Sequence, residues 1–393
     1  MVVQQIYQLT NDVVGEVLGD SALLQEDLSN LVDVGTAVFN ANAVDNYVKS
    51  LVNHIGKLVF VNRPYKGNVP SVLMDSWEFG SVLEKVSGTL YDAEENESWD
   101  LTDGQTYNQD IFYKPTVSVK FYNSKKTFEI PMSFTERQLK ESFSSASQMN
   151  SFLSMLMNDV EKSLTVKVDA LIQRTINNMI AETVYDDYKE TQGGVEVLGD
   201  ITAKSGVKAI NLLYLYNETF NTSLTVDDAI VDKEFIRFAA LQIKLYVSRI
   251  SKISKLFNIG GQPRFTPNDL LHLVMLEDFK AAADVYLQSD TFHDEYTTLP
   301  NADSVPYWQG SGLTYGFTDV STIDIDKTSE NHDVTVTGVL AVLWDRDALG
   351  VANPDRRVTT HYNAKAEFFN NYYKHDASYF NDFNENMIVF FIA

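Results

Sequence analysis

Between Met132 and Gln192 the chain contains neither glycine nor proline. Apolar residues recur there at Met149, Phe152, Leu153, Leu156, Val160, Leu164, Val168, Leu171, Ile172, Ile176, Met179 and Ile180, in steps of three and four. That spacing predicts one helix over about 147–183, roughly 35 residues and on the order of 50 Å long, with a single apolar stripe. The stripe does not sustain the heptads of a coiled coil, so the helix is expected to lie across a sheet.

The flanking segments have strand character. Val117, Val119 and Phe121 alternate with polar residues, and Phe128 and Ile130 continue the alternation until Pro131, which is expected to end the strand. From Val86 to Tyr113 there is no basic residue, but Asp92, Glu94, Glu95, Glu97, Asp100, Asp103 and Asp110 are all acidic. A two-stranded excursion with an acidic, water-facing tip follows. Upstream, Ser21 to Val38 is helical in pattern, and Asn62 to Pro70 breaks the chain with two prolines and a glycine. Residues 1–75 read as an arm that packs on something else.

Downstream, Gly193, Gly194 and Gly199 are expected to close the long helix. Lys233 to Phe257 reads as an amphipathic helix, and Leu270 to Leu276 as a buried strand leading into a helix through Ala281 to Asp284. Val334 to Trp344 and Met387 to Ile392 are further strands. The class is α+β, without the regular alternation of a parallel doubly wound sheet.

The 31 basic and 54 acidic side chains give a formal charge of −23, which disfavours wrapping nucleic acid, since phosphate neutralisation needs clustered Lys and Arg. A 44% hydrophobic content is ample for a packed core over 393 residues. The absence of cysteine removes disulfides, thiolate nucleophiles and thiolate metal sites. The first 48 residues carry seven acids and no Lys or Arg, the opposite of a signal or transit peptide. No run approaches the roughly 18 apolar residues of a membrane helix.

The glycines at 310, 312 and 316 do not make a dinucleotide fingerprint, and neither a Gly-Lys-Ser/Thr phosphate loop nor a G-x-S-x-G elbow occurs. His293-Asp294-Glu295 and His332-Asp333 could act as ligands or acid/base pairs, but read first as local loop interactions. Asp324-Ile-Asp-Lys-Thr-Ser-Glu330 lacks the glycine and terminal glutamate of a calcium loop. No cofactor or metal is expected. Lys233, Arg237, Lys244, Arg249, Lys252 and Lys255 stand against Glu234 alone. They are either a solvated face or a docking surface for an acidic patch on a neighbouring copy, with the loop from Asp92 to Asp103, including Trp99, as its partner.

The order of arm, two-stranded loop, long helix, compact mixed domain and late strands resembles the Hong Kong 97 type fold of tailed-phage major capsid proteins. Arg63-Pro-Tyr65, Trp77-Glu-Phe-Gly80, Phe134-Thr-Glu-Arg-Gln-Leu-Lys140, Gly338 to Gly350, Thr359 to Asn363 and Asp382-Phe-Asn-Glu-Asn386 resemble capsid proteins of small tailed phages of Gram-positive hosts. The resemblance implies an N-terminal arm at 1–75, an extended loop at 76–125 and a peripheral domain with its spine helix at 126–194. It further implies an axial domain at 195–333 and a return to the peripheral domain at 334–393. It implies a non-enzymatic subunit that assembles with itself into pentamers and hexamers of an icosahedral shell around double-stranded DNA, in a virion built in the bacterial cytoplasm. A separate scaffolding protein and a portal are the implied partners. Some members cross-link through a lysine on the extended loop; here only Lys85 and Lys114 flank it, so cross-linking is not expected. The alternatives are a portal, tail or decoration subunit, or a hydrolase using dispersed carboxylates.

Overall fold

The computed structural model describes residues 3–19, 23–26, 29–40, 43–61, 72, 83–88, 96–107, 110, 112, 114, 117–288, 302–309 and 314–393. The chain opens with helices α1 (Val3–Leu18), α2 (Leu31–Asn40) and α3 (Val44–Val61). Strands β1 (Leu83–Gly88) and β2 (Val117–Tyr122) pair antiparallel, and β3 (Lys125–Thr135) leads into α4 (Glu136–Ser142) and the long α5 (Ala146–Tyr188). Then come β4 (Lys189–Gln192), β5 (Val195–Leu198), β6 (Ala209–Asn211), α6 (Leu212–Phe220), α7 (Val226–Ala229), α8 (Lys233–Ile250), β7 (Leu271–Leu276) and α9 (Glu277–Gln288). The chain finishes with β8 (Ala302–Val305), α10 (Phe317–Ser321), β9 (Ile323–Ile325), β10 (Val334–Val336), β11 (Val339–Asp345), β12 (Leu349–Asn363), β13 (Phe368–Asn381) and β14 (Met387–Phe391).

Two compact units form. The first takes residues 1–80, 124–175 and 350–379; the second takes 81–123, 176–349 and 380–393. In the first unit, a sheet of order β12-β13-β3 shares a core with α1 to α5. Leu9, Val13, Val14, Leu31, Val34, Val38, Tyr47, Val48 and Leu51 are buried with Phe134, Phe143, Leu153, Leu156, Phe369 and Tyr373. Each such side chain contributes about 1.5–3 kcal/mol on leaving water. The described residues of α1 to α3 therefore pack against β3, α4, α5 and β13 of the same unit. Their apolar residues are too dispersed to form a core alone, but suffice as one wall of a shared one. Asn11 fixes the linker after α1, its side chain accepting from Leu24 N (2.6 Å) and donating to Leu24 O (3.2 Å). The helix expected from Ser21 starts only at Leu31.

Pro131 does not end its strand. β3 lies at the edge of its sheet, where a residue without an N–H can face outward with no ladder bond lost. The strand ends at Thr135, whose hydroxyl accepts from Gln138 N while the Gln138 side chain accepts from Thr135 N. This capping box starts α4.

α5 extends beyond its predicted 147–183 at both ends. In the first unit it buries a stripe from Met149 to Val168, whereas from Thr175 to Tyr185 nearly every residue is buried. The buried Thr175 and Thr183 hydroxyls bond back to the carbonyls of Leu171 and Met179, so their burial leaves no donor unmet. Gly193 and Gly194 do not close this helix. Tyr188 ends it, and the two glycines, both at positive φ (61° and 86°), form the two-residue turn of the β4/β5 hairpin.

The second unit is built on a sheet of order β6-β14-β11-β7-β8. β11 and β14 are buried along their whole length, which explains why they read as continuous apolar runs. Helices α6, α8 and α9 cover the face carrying Leu273, Leu343 and Phe390. On the other face Tyr188 packs edge-on against Phe391, ring centroids 5.8 Å apart. The strand predicted from Val334 to Trp344 is two strands. Gly338, at φ 73° and pressed against the Ile392 carbonyl, separates β10, which pairs with β9, from β11.

Candidate assembly site

Alternation along β2 sends Lys120 and Tyr122 to one face of the β1/β2 hairpin, and Val117, Val119 and Phe121 to the other. The register sets Lys85 opposite Lys120, a like-charge pair that would weaken the hairpin by itself. Asp382 resolves the conflict. Its carboxylate, 2% exposed, lies 2.9 Å from Lys85 Nζ through one oxygen and 3.1 Å from Lys120 Nζ through the other. Glu385 accepts from Lys85 at 2.8 Å and lies 3.4 Å from Arg264 Nε. Tyr122 packs on Phe380 on the same side, ring centroids 5.2 Å apart.

Burial opposes the Asp382 charge, but Lys85, the Asn384 amide and Lys120 outweigh it and hold the carboxyl below its ordinary range. At Glu385 burial prevails over Lys85 and Arg264, and its pKa is raised. Lys85 is held charged: its burial is more than offset by hydrogen bonds to Glu385 and Asp382.

The seat of the hairpin is made from two of the quoted sequence words, which the fold brings together. Asp345 N donates to Asn386 O (3.0 Å), and Asp382 N to Ala348 O (2.6 Å). Asn386, fully buried, donates to the Thr266 hydroxyl (3.2 Å), which in turn donates to Asp345 Oδ2 (2.7 Å). Lys85 Nζ also donates to Asp347 O (3.2 Å). Thr266, Asp345 and Asn386 are hydrogen-bonded to one another, which makes the seat polar and rigid.

Outward, Val117, Val119 and Phe121 are exposed, and toward the tip Trp99 is 95% and Phe112 84% exposed. Of the acidic candidates, Asp100 is exposed at the surface; Asp92, Glu94 and Glu95 lie outside the described residues, and Glu97 is described only as backbone in a short 3-10 turn ending at Trp99. α8 ends at Ile250, capped at its start by Asp232. Lys233, Arg237, Lys244 and Arg249 lie on it, while Lys252 and Lys255 belong to the turn that follows, a correction to the longer predicted helix. The turn forms because Ser254 and Arg264 pair as an isolated bridge. Arg237 is 3.4 Å from Glu234, and Arg249 stacks over the Tyr246 ring at 4.7 Å.

His332 stacks on Tyr185, centroids 3.8 Å apart, with Nδ1 3.0 Å from Glu182, so it is a packing and hydrogen-bonding residue. His293 to Glu295, with Gly310 and Gly312, lie outside the described residues. Asp324 is taken up by Thr335 of the neighbouring strand (2.6 Å). Among the described residues no group of three or more His, Asp or Glu is arranged to hold a metal, and no helix is long and apolar enough to cross a membrane.

The described residues thus form a mixed α+β fold with a two-stranded hairpin and a long helix. Solved structures agree on the fold. The capsid of Staphylococcus phage Andhra matches with a TM-score of 0.50 and 11% identity, covering 84% of this chain and 86% of that one. A chain in the structure of head fiber and inner core protein gp22 of native bacteriophage P68 matches with a TM-score of 0.50 and 9% identity, covering 85% and 86%. No curated protein sequence matches. Residues 10–391 match the model of the family described as Phi29-like phage major capsid protein, and the chain belongs to that family. It is a major capsid protein, a structural component of the virion that assembles with copies of itself into the shell.

Proposed function

We propose that copies of this chain form pentamers and hexamers that close into an icosahedral shell of the Hong Kong 97 type around double-stranded DNA. In this reading residues 1–75 are the arm, 76–125 the extended loop, 126–194 the peripheral domain with its spine helix, 195–333 the axial domain and 334–393 the return. The observation that carries it is the β1/β2 hairpin. Its inner face is locked to Asp382, and its outer face leaves Val117, Val119 and Phe121 exposed. An apolar strip on an open two-stranded ribbon invites cover by a neighbour, through main-chain pairing and side-chain burial. The six acidic and aromatic loop residues from Asp92 to Asp100 and the six cations from Lys233 to Lys255 are the proposed inter-subunit contacts. A charge of −23 suits a wall that encloses DNA without gripping it. A separate scaffolding protein and a portal are the proposed partners in assembly.

The test is to express the chain alone and with its scaffold, and to image the sedimented products by electron microscopy. Closed shells, or sheets of five- and six-fold units, are expected. A stable monomer under both conditions would contradict the reading.

A further inference from the structure

Between Leu241 and Phe265 the chain carries Lys244, Arg249, Lys252, Lys255 and Arg264 and no acid, in a protein with a formal charge of −23. Arg264 turns inward to Glu385, but Lys252 and Lys255 are exposed. Apolar side chains share this surface. Leu241 and Leu245, one helical turn apart on α8, are both exposed. The Ser254–Arg264 bridge sets Ile253 opposite Phe265, and these are 57% and 55% exposed. Leu241, Leu245, Ile253 and Phe265 add exposed apolar area to this basic segment, so a partner that combines apolar and negative groups fits it.

The hairpin tip has that chemistry. From Asn96 to Phe112 it carries Glu97, Asp100, Asp103 and Asp110 and no base. Trp99, Leu101 and Phe112 are among its most exposed side chains. The tip is also shaped: Ser98 N donates to Asn96 Oδ1 (2.8 Å), and Thr102 N to the Tyr107 hydroxyl (3.1 Å). We infer that the tip of one copy docks on the Leu241–Phe265 surface of a second copy, with Trp99 and Leu101 against Ile253 and Phe265, and Asp100 and Asp103 against Lys252 and Lys255. The contact is head-to-tail, since each copy presents a tip and a receiving face, and such contacts close into rings. This inference rests on the reading of the hairpin as an inter-subunit element and names its partner surface.

Carbodiimide coupling of carboxylates to lysines in assembled wild-type particles, read by mass spectrometry, tests it without substitutions. Coupling of Asp100 or Asp103 of one chain to Lys252 or Lys255 of another is expected, shown by mixing isotope-labelled and unlabelled subunits. Coupling of these lysines to other segments alone, or their protection only in DNA-filled particles, would overturn it. A charge-exchange series adds a second readout. Asp100→Lys with Asp103→Lys, and separately Lys252→Asp with Lys255→Asp, should each lower the assembled fraction at least about tenfold, and the quadruple variant should recover it. Circular dichroism confirms folding of each variant. If the tip variant fails to assemble while the lysine variant assembles normally, the tip docks elsewhere: the inference falls and the reading of the hairpin stands. If neither change affects assembly, both fall.

Discussion

Lys85 and Lys120 face each other across the β1/β2 ladder and share one buried carboxylate, Asp382. Two like charges in register make the hairpin dependent on that third residue, which approaches from the C-terminal end of the chain. Asp382→Ala should therefore cost more than an ordinary surface change, about 1.5–3 kcal/mol, because it leaves Lys85 with Glu385 alone and Lys120 without its carboxylate. Hydrogen exchange of the β1 and β2 amides should accelerate, while β11 and β14 stay protected.

The same cluster sets a pH dependence. The Asp382 carboxyl is held below its ordinary 3.8, so its contribution is complete above that value and is lost as pH falls through the lower folded value. Glu385 is raised above 4.5, so its contribution has the opposite sign, present below 4.5 and lost as pH rises through the raised value. Melting curves of Asp382→Asn should show a smaller acid loss below about pH 4 than the parent chain. A parallel loss in both chains would assign the acid sensitivity elsewhere.

At the end of α5, Asp186 and Asp187 sit where the helix dipole disfavours acids, and Lys208 compensates them at 2.6 and 2.8 Å. Asp187 also accepts from the Lys208 and Ala209 amides, which ties the helix to β6. Lys208→Met should destabilise the subunit by about 3 kcal/mol in urea titration, and adding Asp186→Asn should recover part of the loss.

Phe121→Asp changes an exposed residue and should alter subunit stability by no more than about 0.5 kcal/mol. Its assembly, followed by sedimentation, should nevertheless fail, because the outer strip of the hairpin is lost as a buried surface.

Lys85 is committed to Asp382 and Glu385, which keeps its amine charged and a poor nucleophile. Particles boiled in detergent should run as single chains of 44.3 kDa. A ladder of multiples would show that cross-linking occurs.

What the sequence revealed depends on how locally each feature is encoded. α5 was legible because its apolar spacing is uninterrupted, and β11 and β14 because strands buried on both faces are continuous apolar runs. β13 was not. It alternates in burial, but Asn371 and His375 share its buried face with Phe369 and Tyr373, so polarity does not follow burial. The turn at Gly193-Gly194 and the capping box at Thr135 to Gln138 do carry local signatures that outcompete the reading of a bare helix terminator or strand end. Lys85 stood out only as a base beside an acidic loop. Its role depends on Asp382, and the equivalent contact from Lys120 spans 262 positions, a relationship no local pattern encodes.

The most direct test of the account is a cryo-electron microscopy reconstruction of assembled particles at side-chain resolution. The account predicts a closed shell in which each β1/β2 hairpin remains seated on Asp382 of its own chain while its outer strip and tip lie on an adjacent copy. Shells in which the hairpin lies against its own chain alone, with Val117, Val119 and Phe121 still facing solvent, would contradict it.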